Sequence, residues 1–207
     1  MLFRAVIALP LWAVVGLGAF VSATAADVAP APTRALAETF AKKVALIVQH
    51  GSAPTGATGS RRTTLTEAEL NSWFTFRGQR VMPMGVSSPA VSLMGGGRVR
   101  AEATLDLEEV GRRRGGRGGL DLWSLLGGRV PISVTGVLHA TNGRGRFEVQ
   151  EATAASLPVP TLLLQELVSM YTRSDEDPEG VRLDQAFDLP LNIRQVELGT
   201  GQAVVVQ

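Results

Sequence analysis

Arg98-Val99-Arg100-Ala101-Glu102-Ala103-Thr104-Leu105-Asp106-Leu107 is the stretch whose reading decides the fold of this chain. Val99, Ala101, Ala103, Leu105 and Leu107 alternate with Arg98, Arg100, Glu102, Thr104 and Asp106. A period of two sustained over this length predicts a strand with one buried and one wet face, the habit of antiparallel sheets. Val91 and Leu93 mark a preceding strand, and Gly95-Gly96-Gly97 turns the chain between the two. Downstream, Val130, Ile132, Val134 and Leu138 open a second hairpin around Asn142-Gly143, a dipeptide suited to the left-handed conformation of a two-residue turn. Such a turn sets Leu138 opposite Phe147 and Gly136 opposite Val149.

Helices interrupt these strands. Thr33 is placed to cap a helix running to about His50, with Gly51 as its C′ stop; Leu36, Phe40, Val44, Ile47 and Val48 form its apolar stripe. Gly51 to Arg62 reads as a loop. Leu65-Thr66-Glu67-Ala68-Glu69-Leu70-Asn71 then carries a capping box, with Thr66 as N-cap and Glu69 at N3, and Leu65 and Leu70 as a hydrophobic staple. On the cap alone, Thr66→Ala is expected to cost more than Glu69→Ala. Leu70, Trp73 and Phe74 share one face of this second helix. Pro158 and Pro160 precede a third, from Thr161 to Arg173, whose stripe of Leu163, Leu164, Leu167, Val168, Met170 and Tyr171 is wide. A final hairpin, Asn192–Leu198 and Gln202–Val206, turns at Gly199-Thr200-Gly201. The expected class is α+β: a strongly curved antiparallel sheet of about six strands packed on two or three helices, a half-barrel in one domain spanning 33–207.

Ahead of that domain, Arg4 precedes an apolar run from Ala5 to Val21 that ends in Ala23-Thr24-Ala25. This is the pattern of a secretory signal peptide over 1–25, followed by a Pro/Ala linker over 26–32. A membrane anchor is the rival, but Pro10, Gly16 and Gly18 break a run near the lower limit of about 17 residues for a span. Cleavage predicts an exported product, periplasmic or extracellular. Cysteine is absent, which excludes disulfides, thiolate chemistry, cysteine-bound zinc and a lipid-modified cysteine. Removing Arg4 from the 20 Lys and Arg would match them to the 19 Asp and Glu, a balance with no global attraction for nucleic acid.

The chemistry-bearing residues are sparse. His50 and His139 belong to no metal-binding spacing, and no nucleophile elbow, Walker loop or dinucleotide fingerprint occurs. No catalytic residue, metal or cofactor is expected. Asp106, Glu108, Glu109 and Asp175-Glu176-Asp177 read as solvated charge, since a glycosidase cleft needs convergent acids among stacking aromatics. The Arg/Gly stretch 111–119 has two readings: a flexible loop, or a contact in which Arg112, Arg113, Arg114 and Arg117 grip an anionic surface. Leu120 to Leu126, with Trp123, adjoins it as an interfacial segment or as core.

Ala101, Ala103 and Gly136 are small on an inner face where a dense core carries larger residues. Either an element packs closely there or the sheet leaves a groove. The strand from Arg98 to Leu107 extends about 33 Å, enough to run along an entire acyl chain.

The signal peptide, the Leu-Thr-Glu-Ala-Glu-Leu-Asn helix start at 65–71, the long alternating strands and the ending Leu189-Pro190 through Gly201–Val206 together resemble the secreted tubular-lipid-binding (TULIP) type. Within it the chain is most similar to the LmeA-like envelope phospholipid-binding family. The resemblance implies a non-catalytic monomer that holds a phospholipid or fatty acyl chain between curved sheet and helices, with peripheral membrane contact and a role in envelope lipid transport or maintenance. The expected lining is Leu70, Trp73, Phe74, Ala101, Ala103, Leu105, Val134, Leu138, Phe147, Leu163, Leu167 and Met170. The alternative is a non-catalytic envelope interaction module with a fully packed core, docking through its sheet edge or the Arg loop; a hydrolase comes third.

Overall fold

A computed structural model describes residues 30–52, 59–109, 128–173, 178–180, 182–183 and 185–207. The signal peptide, the Arg/Gly stretch 111–119, the segment 120–126 and the acidic loop 174–177 lie outside the described residues, as do the side chains of Met170 and Tyr171.

The chain is α+β, with helices on an antiparallel six-stranded sheet that does not close into a barrel. That sheet contains β2 (Val86–Gly95), β3 (Arg98–Asp106), β4 (Arg129–Thr141), β5 (Arg144–Ala154) and the short β6 (Leu157–Pro158) in sequence order, with β7 (Phe187–Asp188) also on β5. A second sheet of three strands has the order β1 (Arg62–Thr66), β9 (Gln202–Val206), β8 (Gln195–Gly199). The described helices are α1 (Arg34–Gly51), α2 (Glu67–Phe76) and α3 (Thr161–Thr172), with one 3-10 turn at Gly78–Arg80.

The hairpins obey their turn chemistry. Thr141 pairs with Arg144 across Asn142-Gly143, both at positive φ, and Leu138 faces Phe147 while Gly136 faces Val149. Beyond Gly136 the register shifts: Thr135 pairs with Glu151, so Gln150 is the extra residue of a bulge. The shift places Ala152 and Ala154 opposite Val134 and Ile132, on the same face as Phe147 and Val149.

Several expectations are corrected. The loop expected over Gly51 to Arg62 gives way at Arg62 to a strand that the sequence reading lacked, β1, paired with β9. The closing hairpin therefore belongs to a separate small sheet and does not extend the large one. It starts at Gln195, not Asn192, since Leu191 and Asn192 both adopt positive φ in a turn. It also turns at Thr200-Gly201 alone, with Gly199 paired to Gln202. Gly51 is no αL stop but the last helical residue of α1. A Cβ there would fall 2.4 Å from Leu191, so glycine is needed for close approach. Finally, β3 ends at Asp106, whose Oδ1 accepts from the Glu109 N–H at 3.1 Å.

The segment Thr66–Asn71 joins all these parts. Thr66 closes β1 and caps α2, accepting from the Glu69 N–H at 3.2 Å while its own N–H donates to Glu69 Oε2 at 3.0 Å. Lys43 on α1 donates to both Glu69 oxygens at 2.7 and 2.8 Å. Glu67 Oε2 accepts from the Leu93 N–H at 2.6 Å, and Asn71 exchanges two 2.8 Å bonds with the Val91 backbone. The second helix thus supplies the edge strand β2 with the partners that a neighbouring strand would give. Around this clamp Phe40, Trp73 and Phe74 stack, at 5.7 Å between Phe40 and Trp73 and 5.6 Å between Trp73 and Phe74.

Glu69 is buried and holds Lys43 as well as the cap, so the structure reverses the order expected from the cap alone. Thr66→Ala should destabilise by about 0.5–2 kcal/mol. Glu69→Ala should cost more, because it also strands a half-buried ammonium. The double variant should cost less than the sum. Urea titrations check this, and a Glu69→Ala loss smaller than that of Thr66→Ala would contradict the geometry.

Candidate functional site

One face of the small sheet is mostly apolar. Leu65, Ala203 and Leu198 align in one row across β1, β9 and β8, and Thr63, Val205 and Val196 align in the next. The opposite face carries Thr64, Thr66 and Gln202, with Arg62 bonded to Glu197 at 2.6 Å. The large sheet presents its own apolar face through Val91, Leu93, Val99, Leu138 and Phe147.

These two faces meet in part, where Leu198 and Ala203 pack against the cluster that holds Val91, Leu93, Val99 and Phe147, and part elsewhere. Between them, closed by Phe40, Val44 and Ile47 of α1 and by Leu70 and Phe74 of α2, lies a cavity of about 160 Å³. Thr66 is its sole lining residue with a polar side chain among the described residues. Leu189, Pro190 and Ile193 complete the wall from the segment before β8. Nothing titratable faces the void among the described residues, and no group of three or more acidic or His residues there could hold a metal. Its chemistry is that of an apolar container.

A second, smaller cavity of about 60 Å³ lies on the other side of Phe74, between the large sheet and α3. Ala101, Ala103 and Leu105 form its floor; Leu164, Leu167 and Val168 of α3 form its roof. Phe74 and Val91 line both cavities.

The residues expected at a ligand site are accordingly divided. Leu70, Phe74, Leu138 and Phe147 line the larger cavity; Phe74, Ala101, Ala103, Leu105 and Leu167 line the smaller. Trp73 and Val134 line neither, being core residues of the central cluster, with Trp73 turned to Phe40. Leu163 packs against the cluster of Leu105, Leu107, Val130 and Ala154. Sequence reasoning passed over the contributions of α1 and of the small sheet. The α1 stripe was visible as periodicity, and Val196, Leu198, Ala203 and Val205 as alternation, but neither signal says that the two face each other across a void.

The small inner-face residues resolve in two ways. A Cβ on Gly136 would lie 2.4 Å from Phe147 Cζ and 2.5 Å from the Glu148 carbonyl oxygen, so Gly136 is a place of close packing. The Phe147 ring lies over this glycine, along the sheet. Ala101 and Ala103, by contrast, border space.

Gly136→Ala should therefore drive the Phe147 ring off β4 and strain the β5 backbone, destabilising the protein by about 1–3 kcal/mol or more. Phe147→Leu in the Gly136→Ala background should recover only part of the loss, since the Glu148 carbonyl stays in contact. Thermal unfolding checks both, and an unchanged Tm for Gly136→Ala would contradict the placement of the ring.

Comparison with protein-family profiles, with curated proteins and with solved structures finds no match to this chain.

Proposed function

We propose that this chain is an exported, non-catalytic lipid-binding protein that holds an acyl chain of a fatty acid or phospholipid between its sheets and helices, in envelope lipid transport or maintenance. The observation that carries this reading is the apolar cavity of about 160 Å³. Protein interiors are packed as densely as organic crystals, and voids larger than a water molecule are few. Leaving one of this volume empty costs about 4 kcal/mol at roughly 24 cal/mol per Å³, a large part of a typical net stability of about 5–15 kcal/mol. An apolar cavity of about 150 Å³ stays dry and takes up benzene or xenon. The wall here offers methyl, methylene and ring surface, the Thr66 hydroxyl being engaged by the Glu69 N–H, so it selects hydrocarbon by burial, at about 0.8 kcal/mol per methylene.

Export rests on the Met1–Ala25 pattern, and no described helix is long and apolar enough to cross a membrane. Peripheral membrane contact through Arg112, Arg113, Arg114 and Arg117 remains part of the proposal. The rival interaction module, with its fully packed core, has no place for a void of this size.

Organic extraction of the purified protein followed by mass spectrometry should release an acyl lipid in near-stoichiometric amount. Ala203→Leu points a larger side chain into the cavity between Leu65 and Leu198. It should abolish uptake of a fluorescent fatty acid while raising the Tm of the delipidated protein. A wild type that carries no lipid and takes up no fatty acid would overturn the proposal, as would an Ala203→Leu variant that is only destabilised and keeps its uptake.

A further inference from the structure

The two cavities share the walls Phe74 and Val91, and this arrangement bears on which ligands fit. Val91 is fixed, since both of its outward backbone groups are held by Asn71 and it pairs with Ala101 in the sheet. Phe74 is held differently. It is almost fully buried in the central cluster with Trp73 at 5.6 Å, yet it also lines both cavities. A ring bordered by voids lacks partner atoms there, and a change of its rotamer forfeits fewer contacts than in a filled core.

Volume makes that freedom matter. The larger cavity alone accommodates a hydrocarbon group about the size of benzene, roughly six carbons. A membrane acyl chain is much longer. The smaller cavity continues toward Ala101, Ala103 and Leu105 along β3, whose strand direction gives an extended track.

We propose that Phe74 is a movable partition, displaced by a single unbranched acyl chain that runs from the cavity between the sheets into the cleft beneath α3, so that Phe74 and Ala103 set the chain length bound. This rests on the lipid-binding reading above and specifies its ligand. Short chains occupy the larger cavity with the partition closed. Longer chains open it, and the small side chains of Ala101 and Ala103 then leave room for the distal methylenes.

Ligand-observed NMR titration of the delipidated full chain with saturated fatty acids from hexanoate to palmitate tests this. In the wild type, affinity should rise by about fourfold per methylene from hexanoate until the joined cavities fill, roughly two carbons further, and then level off. Ala103→Leu should leave hexanoate binding unchanged and end the rise there, so that octanoate and palmitate bind no better than hexanoate. Phe74→Leu, which removes the ring and keeps an apolar side chain, should strengthen palmitate binding by a larger factor than hexanoate binding. Should Ala103→Leu fold poorly, the Phe74→Leu comparison decides alone. Hexanoate binding with no gain from longer chains in the wild type, or palmitate affinity indifferent to both substitutions, overturns the partition and leaves the lipid-binding reading standing. A wild type that binds neither hexanoate nor palmitate overturns both.

Discussion

Val91 and Leu93 sit on the open edge of β2, where backbone groups face no neighbouring strand, and the first turns of α2 satisfy them. Asn71 bonds both ways with Val91, and Glu67 accepts from Leu93, whose carbonyl in turn accepts from the Gly201 N–H at 2.8 Å. The Glu67 N–H donates to the Gly201 carbonyl at 2.9 Å, and Glu69 reaches Lys43. One short helix start therefore ties the large sheet, the small sheet and α1 together through buried or half-buried polar bonds. Such bonds are costly to leave unmade, so the relative positions of the three elements are strongly determined.

That determination explains why the space between the two sheets is not closed by collapse. A void shrinks when its walls can relax toward one another. Here the small sheet is fixed at both ends. Its turn is bonded to β2 and α2. At its far end Gln207 Nε2 donates to the carbonyls of Ile47 and Leu191 at 2.9 and 2.8 Å, while Arg61 and Gln207 exchange backbone bonds. The apolar faces of the two sheets touch through Leu198 and Ala203, and beyond that contact the hydrogen bonds at the rim keep them apart around hydrocarbon surface without a partner.

Much of this frame was legible in the sequence, because it is local. The capping box needs only four residues, and the Asn142-Gly143 turn fixes its own register from a dipeptide. The alternation of Val99 to Leu105 follows from the pleat. The first strand was illegible because Arg62-Thr63-Thr64-Leu65-Thr66 carries a single apolar residue and pairs only with the distant β9. Its loss hid the second sheet, and with it the larger cavity. The ligand space was accordingly expected between one curved sheet and the helices carrying Trp73, Phe74, Leu163, Leu167 and Met170, where Ala101 and Ala103 did mark a smaller cleft. A void has no residues of its own. It follows from where nonlocal pairings stop two faces, and periodicity does not encode that.

The central claim is that rim hydrogen bonds hold open an apolar cavity between the two sheets, and diffraction from crystals of the delipidated protein under xenon pressure tests it most directly. Xenon seeks apolar voids of this size. The account predicts a strong xenon peak bounded by Phe40, Leu65, Leu138, Phe147 and Ala203, with the Asn71–Val91 and Glu67–Leu93 bonds intact. A small sheet packed down onto the large one so that Val196 and Val205 also reach Leu138 and Phe147, with no xenon between them, would contradict it.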